Sequence, residues 1–302
     1  MYTICLPVYN YDICGLVASL VKQALAANMP YEILVIDDAS QGDFVAINKS
    51  ILAYKNTRFI GLDKNIGRAT IRNLLAQEAQ YDYLIFMDCD AETVDNQYLE
   101  RYIDLIDGAQ KVVYGGRVYT EKVQFEAWYF RWLYGVQREC APARVRELHP
   151  NRSFITFNFM VSKAVFEQVK FNETITNYGH EDTLFGYELG QKNIIIQHID
   201  NPLVHIGLED APTFIAKTGQ GIINLLQLYQ LNLYENEWLA EVKLMRYFLI
   251  IKKIKMINLV TTFFGVTKSY LLRNLNSSKP SLLVFDLWKL GCVCSNSLKL
   301  KI

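Results

Sequence analysis

An apolar run that stops at an acidic triplet decides the fold class: Tyr83-Leu84-Ile85-Phe86-Met87-Asp88-Cys89-Asp90. A short, continuous apolar run of this kind is typical of a strand that is buried on both faces. Carboxylates that directly follow such a strand lie at its carboxyl end, where open α/β sheets bind their ligands. The stretch therefore predicts a buried strand with a ligand site at its end.

The same pattern recurs before this stretch. Apolar runs at residues 2–6, 32–36 and 58–61 predict strands, and residues 12–28 and 67–79 predict helices. Short strands alternating with helices indicate an α/β fold, with a Rossmann-type, mostly parallel sheet flanked by helices. Asn10 and the pair Asp37-Asp38 also follow strands. We therefore expect these side chains to lie near the acidic triplet, at one edge of the sheet.

The rest of the chain divides into an irregular region and a helical one. Strands are predicted at residues 112–114, 157–161, 194–197 and 203–206, helices at 125–135 and 182–191, and a loop at 138–152. From about residue 208 the apolar residues are periodic and glycine is sparse, and this helical pattern continues to near residue 275. The sequence thus predicts an α/β domain at residues 1–207 and a mainly helical region at residues 208–302.

Composition excludes several function classes. Lysine and arginine number 31, as do aspartate and glutamate, so the formal net charge of zero argues against a nucleic-acid-binding protein. The six cysteines form no Cys-x-x-Cys pair, which favours reduced thiols over disulfides or a zinc site. The first residues lack the basic segment of a signal peptide, and no apolar run is long enough to span a bilayer. These features predict a cytoplasmic location.

The residues at the predicted strand ends have chemistry suited to a nucleotide ligand. Asp88 and Asp90 would attract a hard divalent cation, which would bridge the oxygens of a diphosphate. A carboxylate of Asp37-Asp38 can accept from a base N–H or from ribose hydroxyls, although capping of a helix is an alternative. Gly67-Arg68 at a helix start suits close approach of a nucleotide, although an ordinary glycine turn has the same pattern.

Four motifs in order resemble family 2 glycosyltransferases of GT-A fold. They are Pro7-Val8-Tyr9-Asn10, Ile36-Asp37-Asp38-Ala39-Ser40, Asn65-x-Gly67-Arg68-x-x-x-x-Arg72-Asn73 and Asp88-x-Asp90. Each motif is weak alone, but their shared order and spacing are specific. Tyr178-Gly179-His180-Glu181-Asp182-Thr183 is similar to the Glu-Asp motif of the same family. The resemblance covers about residues 2–207.

The resemblance implies a role for each matching residue. Asp182 would be the general base toward the acceptor hydroxyl, and Glu181 beside it would bind substrate. Asp90 and His205 would bind the metal, Mn²⁺ or Mg²⁺, for which an oxygen and a nitrogen ligand are suitable. The remaining matches are expected to bind substrate: Pro7, Tyr9 and Asn10 after the first strand, Asp38 and Arg68 at the base, and Asp88 at the ribose. A lone histidine and a Glu-Asp pair at a helix start also have purely structural readings.

The implied reaction is the inverting transfer of one sugar from a nucleotide-diphosphate sugar, with UDP the expected nucleotide. The Gln-x-x-Arg-Trp motif of polymer-forming relatives is absent from the sequence, which favours a single addition. A saccharide or lipid-linked acceptor in cell-surface polysaccharide synthesis is expected. The alternatives are a non-catalytic nucleotide-sugar-binding or membrane-associated scaffold protein and, less favoured, a sugar nucleotidylyltransferase.

The sequence leaves more than one function possible for two further regions. The aromatic segment that includes Trp128, and arginines 131, 138, 144, 146 and 152, lie where relatives contact the acceptor, but core packing and a solvated loop are the alternatives. Residues 242–285 contain eight basic residues and no acidic one. Peripheral contact with a membrane, packing against the first domain and packing against a second subunit all fit that segment, and the oligomeric state is left open.

Overall fold

The computed structural model describes residues 1–175 and 179–302. Its contacts divide the chain into two compact units. The first unit comprises Met1–Thr120, Glu139–Thr176 and Leu184–Gly207, and the second comprises Glu121–Arg138, Asn177–Thr183 and Leu208–Ile302. Whether residues 1–207 and 208–302 act as separate functional domains stays a prediction.

The first unit contains two sheets. Its strands are β1 (Tyr2–Val8), β2 (Tyr31–Asp37), β3 (Thr57–Gly61), β4 (Tyr83–Met87), β5 (Ala91–Thr93), β6 (Val112–Tyr114), β7 (Arg117–Val118), β8 (Asn158–Ser162), β9 (Gln197–His198) and β10 (Leu203–His205). Among the described residues, the larger sheet has the order β3-β2-β1-β4-β8-β6-β9 and the smaller one the order β5-β10-β7. Strands β1 to β4 run parallel to one another, whereas β8 is antiparallel to both of its neighbours.

Burial explains why these strands read as continuous apolar runs. Every residue of β2, β4 and β8 is buried. Helices cover the larger sheet, and the apolar side chains separate into two core clusters. One cluster includes the apolar face of α1 (Cys14–Ala26), and the other includes Ile71 and Leu75. A sheet covered on both faces has no polar face, so apolar and polar residues do not alternate along its strands.

The helices follow the predicted order, with different ends in several places. After α1 come α2 (Phe44–Asn48), α3 (Arg68–Glu78), α4 (Tyr98–Ile103), α5 (Tyr129–Arg138), α6 (Ala143–Arg146), α7 (Lys163–Gln168), α8 (Glu181–Gln191), α9 (Ala211–Leu231), α10 (Lys243–Lys253), α11 (Ile257–Leu275) and α12 (Leu282–Lys299). The predicted loop at 138–152 thus contains one helical turn, and the helical region continues well past residue 275.

The predicted strand at residues 194–197 is wrong over most of its length. This segment caps the carboxyl end of α8. The Ile194 N–H donates to the Leu189 carbonyl at 3.0 Å, and Asn193 adopts a left-handed φ of 59°. A helix that ends this way satisfies its last carbonyls with the residues that follow. Only Gln197–His198 pairs with the sheet, as β9 beside β6.

The second unit has an aromatic core of its own. Phe285 of α12 lies 5.0 Å from Phe130, 5.3 Å from Phe214 and 5.6 Å from Tyr134, measured between ring centroids. Aromatic rings bury large apolar areas, and the edge-to-face arrangement adds to the stabilisation. Part of the aromatic segment at residues 125–135 is therefore core, as one of its two readings proposed. In the ranges that the structure describes, no helix is both long and apolar enough to cross a membrane.

Asn158 joins the two sheets of the first unit. It lies at the start of β8, opposite Met87, and is completely buried. Its Nδ2 donates to the carbonyls of Gly116 and Asn201 at 2.9 and 2.8 Å, and its Oδ1 accepts from the hydroxyls of Tyr98 and Tyr102 at 2.8 and 2.9 Å. Gly116 immediately precedes β7, so one side chain ties the smaller sheet to the larger one.

We predict that Asn158→Leu lowers the free energy of unfolding by roughly 2–4 kcal/mol, because buried hydroxyls and carbonyls lose their partners while the side-chain volume stays similar. Urea unfolding followed by circular dichroism measures the change. Asn96→Leu, at an exposed asparagine, is the control and is expected to change stability little. Equal effects of the two substitutions would show that the hydrogen bonds of Asn158 are unimportant.

Candidate active site

The carboxyl ends of β1, β2 and β4 meet at one edge of the larger sheet. The three strands are parallel neighbours, and the Asp38 N–H donates to the Val8 carbonyl at 2.7 Å, just beyond the paired residues. The Asn10 N–H donates to Ser40 Oγ at 2.7 Å, and Asn10 Oδ1 accepts from the Gln41 N–H at 2.8 Å. Asn10, with a left-handed φ of 51°, thereby holds the loops after β1 and β2 together.

The two aspartates after β2 have different surroundings. Asp38 accepts from the backbone N–H groups of Ile66 and Gly67 at 2.7 and 3.2 Å, which fixes the loop before α3. Burial raises the pKa of the Asp38 carboxyl, although these two hydrogen bonds oppose the rise. Asp37 is completely buried, and its Oδ1 accepts from the Ser40 N–H at 2.7 Å. Its Oδ2 has no hydrogen-bond partner within the described part of the chain.

Two arginines of α3 hold Asp88. Arg72 Nη2 lies 2.6 Å from Asp88 Oδ1, and Arg68 Nη2 lies 3.2 Å from Asp88 Oδ2. The Arg72 side chain is 2% exposed, whereas that of Arg68 is 44% exposed. The two arginines lie four residues apart, which puts them on one face of the helix. The two guanidinium groups thus hold both oxygens of one carboxylate.

Asp90 contacts a histidine from the smaller sheet. Antiparallel pairing of β5 with β10 aligns Ala91 with His205, and His205 Nε2 lies 3.1 Å from Asp90 Oδ2. The imidazole of His205 packs edge-to-face with two rings. The distance between ring centroids is 5.4 Å to Tyr119 and 5.3 Å to Phe157. The His205 Nδ1 is buried and lacks a hydrogen-bond partner among the residues described. The packing of the two rings thus fixes the plane of the imidazole.

Gly207 leaves the space that the Asp90 carboxylate occupies. A Cβ added to this glycine would collide with Oδ2, Cβ and Cγ of Asp90. The Ile206 N–H donates to the Asp90 carbonyl at 3.0 Å, which keeps the two segments close. Close approach of backbone to a functional group is therefore the reason for a glycine here.

The charges around Asp90 favour its ionised form. Burial alone would raise the pKa of Asp90, but the hydrogen bond with His205 and the charges of His205, Arg117 and Arg68 more than offset it, and the pKa lies below its usual value. Burial, reinforced by nearby Asp90, raises the pKa of Cys89 and of Tyr11 to about 12. The thiol and the phenol therefore stay neutral near pH 7, and the carboxylate carries the negative charge at this place.

The Asp90–His205 pair fits a divalent cation. Two ligand atoms bound at about 2.1 Å and at right angles lie about 3 Å apart, close to the 3.1 Å observed. Oxygen and imidazole nitrogen are ligands that Mn²⁺ accepts. Within residues 1–175 and 179–302, three or more His, Cys, Asp or Glu side chains do not converge on any common ion position. Asp90 and His205 could therefore supply two ligand atoms to a cation.

The first half of the chain matches a family of known proteins. The model described as Glycosyl transferase family 2 matches residues 3–170, which is more than half of the chain. This chain belongs to glycosyl transferase family 2. The resemblance inferred from the motifs is thereby confirmed, and membership supports glycosyl transfer as the activity.

Solved structures of similar fold agree with this membership of family 2. TarS of S. aureus, residues 1–349, is 17% identical with a TM-score of 0.53, and the match covers 100% of this chain and 92% of that chain. A mannosyltransferase of Pyrobaculum calidifontis, PcManGT, solved in complex with GDP-Man and Mn²⁺, is 14% identical with a TM-score of 0.57, and the match covers 99% and 86%. These likenesses confirm the GT-A fold.

A curated relative matches over a shorter stretch. The teichoic acid poly(glycerol phosphate) polymerase of Staphylococcus epidermidis is 31% identical over 107 residues, which are 33% of this chain and 14% of that protein. The match therefore covers only a small part of the polymerase's length.

The Glu-Asp motif lies in the second unit, at the start of α8. Asp182 Oδ1 accepts from the Thr183 N–H at 2.7 Å, and Glu181 is buried. Before the helix, Gly179 has a φ of 98°, and its carbonyl accepts from Asn224 Nδ2 at 2.9 Å. Negative side chains in the first turn are stabilised by the helix dipole. Tyr178, the first residue of the motif, lies outside the described residues.

The predicted acceptor residues have mixed surroundings. Trp128 ends a 3₁₀ helix at Glu126–Trp128, is half-buried, and lies edge-to-face with Phe125 at 4.5 Å between centroids. Arg146 is buried and donates to the carbonyls of Ile199 and Gly115 at 2.6 and 3.4 Å. That arginine is thus structural, and neither its solvated-loop reading nor acceptor contact agrees with its burial. Arg131 is also buried, and Arg138 pairs with Asp286 at 2.9 Å.

Two residues of the site were not assigned a role from the sequence. Arg72 was quoted only as part of a motif, although its position one helical turn after Arg68 indicates a shared partner. The family resemblance assigns a role to Asp38 but none to Asp37, and no sequence signal distinguishes the two adjacent aspartates. Pro7 and Tyr9 lie at the end of β1 and beyond it, and Tyr9 is 47% exposed. The substrate roles of all these residues stay predictions.

We predict that Arg72→Gln lowers the free energy of unfolding by about 3 kcal/mol, because it removes the buried partner of Asp88. The control is Arg138→Gln, whose ion pair with Asp286 is 39% exposed on both sides and is worth less than about 1 kcal/mol. Chemical denaturation of both variants measures the difference. A loss for Arg72→Gln no greater than for Arg138→Gln would contradict the structural importance of this pair.

Proposed function

We propose that this chain is an inverting glycosyltransferase that moves one sugar from a UDP-linked donor to an acceptor hydroxyl. The observation that carries the proposal is the set of carboxylates and arginines at one sheet edge in a member of family 2. Arginines at this edge can contact the phosphates of such a donor, and a cation bound by Asp90 and His205 would neutralise charge on its diphosphate.

The nucleotide would lie along the ends of β1, β2 and β4. Asp38 and Arg68 would contact the base, with Tyr9 packed on it and Pro7 and Asn10 shaping the loop. Asp88 would accept from the ribose hydroxyls, and its two arginines support this role because they hold both carboxylate oxygens in fixed positions. A side chain held in one orientation loses little further freedom when it binds a ligand.

Asp90 and His205 would hold the divalent cation. When bound, the cation neutralises charge on the diphosphate and so stabilises the departing nucleotide. The low pKa of Asp90 keeps this ligand ionised, and the rings beside His205 keep the imidazole in position. PcManGT, of the same fold, was solved with GDP-Man and Mn²⁺, which supports Mn²⁺ as the first metal to test. Mg²⁺ is the alternative.

Asp182 would act as the general base. Its carboxylate would take the proton of the acceptor hydroxyl while the oxygen attacks the anomeric carbon, and the bond from that carbon to the diphosphate would break with the electron pair on the leaving group. Attack from the opposite face inverts the anomeric configuration. The place of Asp182 in the first turn of α8 supports the role, because the helix dipole stabilises a carboxylate there.

The proposed acceptor is a saccharide or a lipid-linked saccharide in cell-surface polymer synthesis, reached from the cytoplasmic side. The name of the S. epidermidis relative, a teichoic acid polymerase, supports this class. Trp128, half-buried beside Phe125, would offer a ring for a sugar face.

We predict that a UDP-sugar with Mn²⁺ raises the melting temperature more than GDP- or dTDP-sugars do. At equal concentration, a ligand that binds more tightly stabilises the native state more, and UDP is the proposed nucleotide. Asp90→Ala should abolish the Mn²⁺-dependent part of the shift. Asp104→Ala, at an exposed aspartate, is the matched control and should keep the full shift. A Mn²⁺-dependent shift that persists in Asp90→Ala would remove Asp90 from the metal site.

We predict that Asp182→Asn lowers transfer by at least about 100-fold, since general-base catalysis contributes roughly that much or more. Donor binding, measured by the same thermal shift, should be retained. Asp43→Asn serves as the exposed control. Near-normal turnover in Asp182→Asn would overturn the assignment. Metal-dependent hydrolysis of the donor by the unmodified chain distinguishes an enzyme from a binding protein on this fold.

A further inference from the structure

Helix α11 carries an exposed apolar stripe. Leu259, Phe263, Val266 and Tyr270 are 62%, 68%, 74% and 72% exposed. They are separated by four, three and four residues, a spacing that puts all four on one face of a helix. Single exposed apolar residues are common on proteins, but a contiguous row of large ones marks an interaction surface.

The opposite face of α11 already has a partner. Phe264 and Leu275 are buried, and the Phe264 ring lies where a Cβ on Gly291 of α12 would be. Position 264 follows the stripe residue Phe263 by one residue, or about 100° around the helix, and Leu275 also lies away from the stripe. Packing on α12 thus accounts for one side of α11 and leaves the stripe unexplained.

The exposed apolar surface extends into α10 and the turn between the two helices. Tyr247, Ile250 and Ile254 are 51%, 55% and 55% exposed and are spaced by three and four residues. Met256, in the turn, is 39% exposed. Met245 and Phe248 of α10 are buried on its other side. Apolar residues therefore lie on all sides of α10. Their exposed fractions show which of them face the core and which face solvent.

Basic residues accompany the apolar surface. Lys243, Arg246, Lys253, Lys255 and Arg273 are all exposed. Lys243 and Ile254 lie on the same side of α10 as Tyr247, and Arg273 follows Tyr270 on the stripe side of α11. From Val242 to Phe285 the sequence has no acidic residue that would offset these charges. We call the exposed apolar and basic residues of α10, the turn and α11 the basic apolar face.

We propose that the basic apolar face binds the surface of an anionic phospholipid bilayer. Apolar side chains would enter the boundary between headgroups and acyl chains, and lysine and arginine would contact lipid phosphates. The charge decides between occupants: a symmetric pair of chains would bring the same face against itself, and with it the same basic residues. An anionic surface complements those charges, whereas a second copy repels them.

Binding in the plane of the interface agrees with the lengths of the helices. Helix α10 has 11 residues and α11 has 19, and both contain polar residues on the sides next to the stripe. Neither is apolar enough to span the bilayer. The proposal concerns the second unit alone and does not depend on glycosyl transfer. A vesicle-binding measurement therefore tests it separately from donor binding and turnover.

The experiment is co-sedimentation of the full chain with vesicles of phosphatidylglycerol and phosphatidylcholine in equal parts, and with vesicles of phosphatidylcholine alone. We expect binding to the anionic vesicles that weakens as salt rises, and binding at least about tenfold weaker to the neutral ones. Equal binding to both, or binding to neither, would overturn the proposal.

Two variants test the two components of the face. The double substitution Phe263→Ser and Val266→Ser removes the centre of the stripe, and the triple substitution Lys243→Gln, Arg246→Gln and Lys253→Gln removes charge. Each should weaken binding to anionic vesicles by about tenfold or more. The controls are Leu148→Ser and the triple substitution of the exposed lysines 22, 49 and 55 by glutamine, which should leave binding unchanged.

Circular dichroism and thermal denaturation without ligand show that each variant is folded. The oligomeric state is measured in parallel without lipid. A dimer that dissociates in the Phe263→Ser and Val266→Ser variant, together with no vesicle binding, would replace the bilayer by a second copy of the chain. Loss of vesicle binding in the controls as well would show that the attraction is unspecific and would also overturn the proposal.

Discussion

The buried amide of Asn158 is the interaction that ties the smaller sheet, with its Asp90–His205 pair, to the larger sheet. It donates to carbonyls that immediately precede β7 and lie just before β10, while β8 itself pairs with β4. Pairing of β5 with β10 sets the 3.1 Å separation of Asp90 and His205, and Asn158 helps to keep that pair beside the end of β4, where Asp88 lies. A short polar side chain achieves this because all four of its hydrogen bonds are made inside the protein, where an unmade one is costly.

The acidic triplet illustrates how neighbouring carboxylates acquire different chemistry. Asp88 faces α3 and is held by Arg68 and Arg72, whereas Asp90 faces the smaller sheet and His205. Side chains two residues apart share a direction in a strand, but here β4 has ended and the backbone turns between them. One carboxylate is therefore oriented by cations, and the other stays available to bind one. The different roles predicted for Asp88 and Asp90 stay predictions, and this turn gives the two carboxylates the different surroundings that such roles need.

The local pattern of apolar residues predicts most strands of the first unit. It does not predict how strands that are far apart in the chain pair with one another. Strand β4 was predicted to the residue because five apolar residues end at charged ones. The antiparallel direction of β8 and the pairing of Ala91 with His205 cannot be predicted from the local sequence. Both depend on residues that are far apart in the chain. Arg146 reads as a loop cation, yet it is buried because backbone carbonyls of Gly115 and Ile199 surround it. The family resemblance supplied His205, which periodicity alone would have treated as a strand residue.

Gly207 shows that a residue without a side chain can govern the chemistry of the site. Its φ is not in the left-handed region, so the backbone would accept alanine there, and only the space taken by the Asp90 carboxylate excludes a methyl group. A side chain at position 207 would therefore have to displace Asp90, although the backbone conformation itself would accept it. Among sequences that keep this arrangement, the conserved property would be an empty volume next to a carboxylate, and a search restricted to polar residues would overlook it.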